Sequence, residues 1–164
     1  MINSKKLLHM IDLVKECNKC AMLHFHNLSV DKVEYKNDNS PLTQADLEVN
    51  QIAVNGIRKL FPKVKIISEE FEKSQQSFQN NNIFWLIDPI DGTKEFINKK
   101  QNFTVNFALI KNNSPIFGLI SQPYTGNIWY NFKGKAWRLE NNQSFKNSKR
   151  IQCNKIDYNN LKIL

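Results

Sequence analysis

The chain is poor in the residues that mark the specialised protein classes. Its 164 residues include five glycines, five prolines and three cysteines. So little glycine and proline excludes collagen-like repetition and Pro/Gly-rich disorder. Three cysteines cannot all pair, which excludes a disulfide scaffold. No apolar run is long enough to span a bilayer. The opening stretch, MINSKKLLHMIDLVKECNKC, interrupts its apolar positions with charges, and no small-residue cleavage site follows. That is not a signal-peptide pattern and predicts a cytoplasmic protein. Acidic residues are the minority, 15 against 23 basic, for a net charge of +8. The excess is nearly all lysine, scattered rather than gathered in a block or stripe, and asparagine is about one residue in seven. Joint Lys, Asn and Ile enrichment is what an AT-rich coding sequence gives. This distribution does not predict a dedicated nucleic-acid surface. It predicts a diffuse positive field that favours small anionic substrates. The same charge supports, weakly, a peripheral place on the cytoplasmic face of a membrane.

What is present suits one domain with a real core: 41% hydrophobic residues, with eleven Phe, four Tyr and three Trp for bulk. Leu7, Leu8, Ile11, Val14, Ala21, Met22 and Phe25 recur near a 3.6 period and predict a helix over 5–27. Thr43 reads as the N-cap of a second helix, 44–60, which Pro62 stops. Residues 64–68 read as a short strand, 71–82 as a polar loop or flap, and 83–87 as a buried strand. After a short helix over 93–98 the pattern turns to β, with strands at 103–110, 115–122, 127–131 and 136–139. Residues 161–164 look like the start of another. Two helices followed by a meander predict an α+β fold, helices packed on a mostly antiparallel sheet.

Cys17 and Cys20 form a C-x-x-C. A structural zinc site needs two further ligands at suitable spacing, and a mid-helix C-x-x-C followed by His24-Phe25-His26 is no standard arrangement. The reading is two thiols on a helix, with no role for His24 or His26.

The few acidic residues stand at the ends of elements. Asp46 lies in the first turn of the second helix, Glu69 and Glu70 close a strand, and Asp88 and Asp91 flank a Pro-Ile step that fixes their relation. Converging carboxylates repel unless a cation sits among them. Hard oxygen ligands without His or Cys point to Mg²⁺, which keeps open positions for phosphate oxygens. Gly92 and Thr93 then begin a helix, where free N–H groups and a side-chain-free residue suit a phosphate. Thr93 can take a proton from water and pass its own to a carboxylate, for which Asp46 is the candidate. Singly, each feature has a plain structural reading: a solvated Glu-Glu pair, a helix-dipole charge, an Asx-capped turn. Their joint occurrence favours phosphoryl chemistry.

Ser68-Glu69-Glu70 after a strand, then Trp85-Leu86-Ile87-Asp88-Pro89-Ile90-Asp91-Gly92-Thr93-Lys94-Glu95-Phe96, resembles the inositol monophosphatase superfamily of Mg²⁺-dependent, lithium-sensitive phosphatases. Lys94-Glu95-Phe96-Ile97, the stretch from Asp38 to Asp46, Phe103-Thr104-Val105-Asn106 and the stretch from Gly118 to Pro123 look like its CysQ-type 3'(2'),5'-bisphosphate nucleotidase branch. The resemblance implies removal of the 3'-phosphate of adenosine 3',5'-bisphosphate, with an inositol or sugar phosphate as the alternative substrate. It implies that Glu69, Asp88, Asp91 and the carbonyl of Ile90 are metal ligands for Mg²⁺. It implies that Glu69, Ile90, Asp91, Gly92 and Thr93 surround the substrate phosphate, and that Asp46, Thr93 and Glu70 serve catalysis. Asp38 and Lys36 are secondary candidates, for a further metal and for phosphate.

Family members carry a second, α/β half with a W-D-x-A-A-G motif whose aspartate completes a metal site. After Asp91 the only acidic residues here are Glu95, Glu140 and Asp157, and no Trp-Asp pair occurs. The resemblance therefore implies the N-terminal half of the family's αβαβα fold: residues 1–155 as the α+β domain and 156–164 as the start of an absent one. It implies a second-half polypeptide or another copy as partner, or else a non-catalytic fragment. Phe117, Ile120 and the 103–110 strand are the expected exposed face.

Overall fold

In a computed structural model, residues 2–28, 34–35, 41–70 and 82–153 are described. Two helices lead: α1 (Ser4–Asn27) and, after a two-residue ribbon of β1 (Glu34–Tyr35) and β2 (Pro41–Leu42), α2 (Gln44–Leu60). The sheet follows: β3 (Lys65–Ser68), β4 (Ile83–Asp91), β5 (Thr104–Lys111), β6 (Ser114–Gln122), β7 (Asn127–Phe132), β8 (Lys135–Leu139) and β9 (Lys149–Ile151). A short α3 (Thr93–Ile97) links β4 to β5. Strand order equals chain order; β3 pairs parallel to β4 and every other pair is antiparallel. The architecture is the expected α+β, with helices on one side of a mostly antiparallel sheet. Lys36, Asp38, the 71–81 stretch, the 161–164 strand and the 155/156 boundary lie outside the described residues.

Asn3 caps α1 by accepting from the Lys6 amide at 2.9 Å. The helix buries Leu7, Met10, Ile11, Val14, Cys17, Ala21 and Phe25 in one stripe. Leu8, read as part of that stripe, turns out to be exposed, because one residue's rotation takes it off the face. The two helices pack closely at Gly56, where a Cβ would stand 2.3 Å from the Leu13 side chain. A glycine inside a helix costs about 1 kcal/mol relative to alanine; here it makes room for the neighbour.

The sheet alternates. Trp85, Ile87, Val105, Phe107, Leu109, Phe117, Leu119, Ile128 and Tyr130 point to the helices and are buried. Trp85 packs against Phe61 at 5.0 Å and Phe117 at 5.9 Å between ring centroids. Phe117, anticipated on the exposed face, therefore belongs to the core; strand parity sends Ile116 and Ile120 outward instead. Phe25, Phe96 and Phe103 form a second ring cluster, with centroids 5.0–5.5 Å apart. It ties the end of α1 to α3 and to the chain entering β5, and so holds the Asp91-Gly92-Thr93 corner in place.

Candidate active site

The corner begins with an irregularity in β4. The strand does not end at Ile87 as its apolar run suggests; it continues to Asp91. Asp88 stands opposite Asn106 and Asp91 opposite Thr104, so three steps on β4 match two on β5. That is a one-residue bulge. In a regular strand Asp88 and Asp91 would face opposite sides of the sheet. The bulge buries Pro89 and Ile90 in succession and returns Asp91 to the Asp88 side. Asn106 confirms the shared side: its Nδ2 donates to Asp91 Oδ2 at 3.0 Å.

Parallel pairing of β3 with β4 brings Ser68 level with Ile87, and the Glu69 amide donates to the Ile87 carbonyl at 3.0 Å. Glu69 thus arrives beside Asp88. Asn50 on α2 accepts from Ser68 Oγ at 2.7 Å and holds this strand end against the helix. The Asp88 carboxyl is pushed up to about 7, first by burial, then by the charges of Glu69 and Asp91, a hydrogen bond shared with Glu69, and the charge of Glu70. Asp88 Oδ1 and Asn106 Oδ1 are both buried without a hydrogen-bond partner. An acid cluster whose buried carboxyl is pushed up by like charges, with the Asp88 and Asn106 Oδ1 atoms unpartnered, has the character of a cation site.

A second set meets behind the corner. Asp46 is almost wholly buried. Its Oδ2 accepts from the Thr43 amide at 2.8 Å and the Thr43 hydroxyl at 2.5 Å, closing the capping box of α2. Its Oδ1 faces Thr93 Oγ1 at 3.3 Å, and that hydroxyl also lies 3.1 Å from the Ile90 carbonyl. Asp46 thus divides its oxygens: Oδ2 serves the start of α2, and Oδ1 faces the Thr93 hydroxyl. Gly92 has φ +92°, and a Cβ there would come 3.0 Å from the Asn102 carbonyl, so the turn presents bare backbone. The α3 helix that follows is a single short turn ending at Ile97.

A groove of about 600 Å³ runs from this corner across the outer sheet face, lined by Glu69, Leu86, Asp88, Asn106, Gly118 and Ile120 among others. Leu86, Ile116 and Ile120 are 39–47% exposed on that face.

The local sequence gives no part in the site to Asn106, Asn50 or Thr43. Only Thr43 carried a local signal, as an N-cap; the two asparagines are visible only through strand and helix partners. It also gave no role to His24. In the structure His24 Nε2 lies 2.9 Å from Glu48 Oε2, and Cys20 Sγ lies 4.0 Å from the same oxygen. Among the described residues, Cys20, His24 and Glu48 bring one ligand atom each within 4.8 Å of one another. Cys17, the other half of the C-x-x-C, is fully buried, and burial drives its thiol far above the ordinary range. No helix among the described residues is long and apolar enough to cross a membrane.

The model of the inositol monophosphatase family matches residues 4–162. The 3'(2'),5'-bisphosphate nucleotidase CysQ of Buchnera aphidicola is 37% identical over 137 residues, which is 83% of this chain and 52% of that protein. The CysQ of Escherichia coli K12 is 42% identical over 105 residues, 64% of this chain and 43% of that protein. Among solved structures, the IMPase of Thermotoga maritima superposes with a TM-score of 0.70 at 28% identity, covering 85% of this chain and 52% of that one. CysQ from Bacteroides thetaiotaomicron gives a TM-score of 0.67 at 24% identity, over 92% and 59%, and supports the fold. The chain spans about half the length of the curated relatives it matches.

Proposed function

The chain belongs to the inositol monophosphatase family, and from that premise we propose that it carries the metal- and phosphate-binding corner of a 3'(2'),5'-bisphosphate nucleotidase. The reaction is hydrolysis of adenosine 3',5'-bisphosphate to AMP and phosphate, in the service of sulfur metabolism in the cytoplasm. The observation that carries this reading is the bulge between Asp88 and Asp91, which turns both carboxylates to one side beside Glu69.

The donor set suits Mg²⁺: carboxylates of Glu69, Asp88 and Asp91 and the carbonyl of Ile90, all hard oxygens. The buried, unpartnered Asp88 Oδ1 fits a cation. A Mg²⁺ ion held by these residues would supply charge to neutralise phosphoryl oxygens and to acidify a water. The backbone of Gly92 and Thr93 receives the phosphate at the place where no Cβ intrudes. Thr93 Oγ1 takes a proton from the attacking water while its own passes to Asp46 Oδ1. The new P–O bond forms as the bond to the 3'-oxygen breaks, that oxygen takes a proton from solvent, and AMP leaves with its 3'-hydroxyl restored. Glu70, next to Glu69, adds negative charge that strengthens the cation site.

The test is phosphate release from adenosine 3',5'-bisphosphate by the purified chain, folded by circular dichroism, with Mg²⁺, with chelator, and with Asp91→Asn. Mg²⁺-dependent release that Asp91→Asn abolishes supports the reading. Release indifferent to chelator and to Asp91→Asn overturns it. A panel with inositol and sugar phosphates separates the substrate classes.

The exposed Leu86, Ile116 and Ile120 favour a second reading, in which turnover also needs another polypeptide or a second copy on that sheet face. A folded chain that binds Mg²⁺ by calorimetry yet releases no phosphate selects this reading.

A further inference from the structure

We propose that Cys20, His24 and Glu48 form a zinc-binding site that staples α1 to α2, separate from the acid corner of β4. Cys20 and His24 are four residues apart on α1 and so lie on one face of the helix, one turn apart. Glu48 comes from α2 and meets both: 2.9 Å from His24 Nε2 and 4.0 Å from Cys20 Sγ. Zinc bonds of about 2.0–2.3 Å in tetrahedral geometry put ligand atoms about 3.3–3.6 Å apart. The two observed separations bracket that spacing, so a small rotation of the thiol and the imidazole accommodates an ion.

The donor chemistry selects the ion. One thiolate, one imidazole and one carboxylate make a borderline-soft set that suits Zn²⁺ and not Mg²⁺ or Ca²⁺. Thiolate and carboxylate together balance the charge of a divalent cation. The carboxylate is already oriented from behind, because Gln44 Nε2 donates to Glu48 Oε1 at 3.0 Å and leaves Oε2 to face His24 and Cys20. All three side chains are part-exposed, so the ion has an entry path and water completes the fourth position. Cys17, one turn earlier, is sealed in the core and takes no part.

Glu48 stands two residues beyond Asp46. On a helix this puts the two side chains on nearly opposite faces, so the staple fixes the first turn of α2 from the side away from Thr93.

The test uses Co²⁺ as a spectroscopic probe and Zn²⁺ as the ion, with the folded chain in excess Mg²⁺ to fill hard-oxygen sites. The expected result is one Co²⁺ per chain with thiolate charge-transfer absorption and tetrahedral d–d bands, displaced by Zn²⁺. Cys20→Ser abolishes the charge-transfer band. His24→Ala, Glu48→Gln and Gln44→Ala each weaken binding by about tenfold or more. Zn²⁺ raises the melting temperature of the parent chain and not that of Cys20→Ser. Cys153, exposed near the far end of the sheet, is the control: Cys153→Ser changes nothing. Absence of the band, its persistence in Cys20→Ser, or its loss in Cys153→Ser overturns the proposal. Gln44→Ala removes no ligand atom, only the hydrogen bond to Glu48 Oε1, and lies on the surface, so a folding defect in a ligand variant does not blunt the test.

Discussion

The Thr93 hydroxyl reaches the Asp46 carboxylate, Oγ1 to Oδ1, at 3.3 Å across 47 residues of chain. The contact joins the start of α2 to the corner after β4, and it leaves Asp46 with two separate contacts, one through each carboxylate oxygen. Thr93→Val removes the hydroxyl and keeps the helix cap. It lowers kcat for phosphate release by about 10²–10⁴-fold with little change in KM or stability. Asp46→Asn lowers kcat similarly and also weakens the capping box, at a cost of about 1 kcal/mol in urea unfolding. Equal stability losses in the two variants would contradict this division.

Asp88 makes the metal-free chain sensitive to pH. Its carboxyl sits near 7 in the fold against an ordinary 3.8. A raised folded-state value means that the native chain holds a proton the unfolded chain gives up. The associated stability is full below about 4 and is lost as pH rises through about 7. Water screens this part-exposed group, so the loss amounts to about 1–2 kcal/mol. Melting curves without divalent ions should fall from pH 5 to pH 8, and Asp88→Asn should remove most of that fall. Mg²⁺ should raise the melting temperature more at pH 8 than at pH 5. A flat profile in the parent chain would refute the account.

Gly92 is fixed by two constraints at once. Its φ of +92° disfavours any side chain, and a Cβ would stand 3.0 Å from a backbone carbonyl that has little room to yield. Gly92→Ala should destabilise the fold by about 1–3 kcal/mol and shift the corner that carries Asp91 and Thr93. Denaturant titration reads the first effect and Mg²⁺ affinity the second. A variant as stable as the parent would contradict it.

Phe117 and Ile120 lie on the same strand and face opposite ways. Phe117 is 4% exposed beside Trp85, and Ile120 is 47% exposed. Phe117→Ala should cost about 3–5 kcal/mol. Ile120→Lys should change stability by less than about 0.5 kcal/mol and reduce concentration-dependent association in sedimentation. Similar losses of stability in both would mean that the outer face is covered in solution.

What the sequence determined by itself was local. Helical spacing, the Thr43 cap and the alternating strands are set by neighbours within a few residues, so α1, α2 and the meander were legible, as was the family from the run at Asp88–Phe96. Thr93 and Asp46 were legible as a pair because each sits at a helix start, where an acceptor or a hydroxyl has a chemical use. The bulge was not legible. The apolar run alone ends at Ile87, and nothing nearby says that Asp88 and Asp91 share a side; the register with Asn106 and Thr104 on β5 decides that. The same holds for Asn50 with Ser68. Phe117 was misassigned because an apolar strand has two faces, and only packing against helices chooses between them. Cys20 and His24 show their helical spacing in the sequence, but nothing local names Glu48 as their neighbour. Glu48 arrives from another helix, and packing around Gly56 and Leu13, not any local signal, brings it there. Local chemistry depends on adjacent residues; the meeting of distant side chains depends on how whole elements pack, and that only the tertiary structure decided.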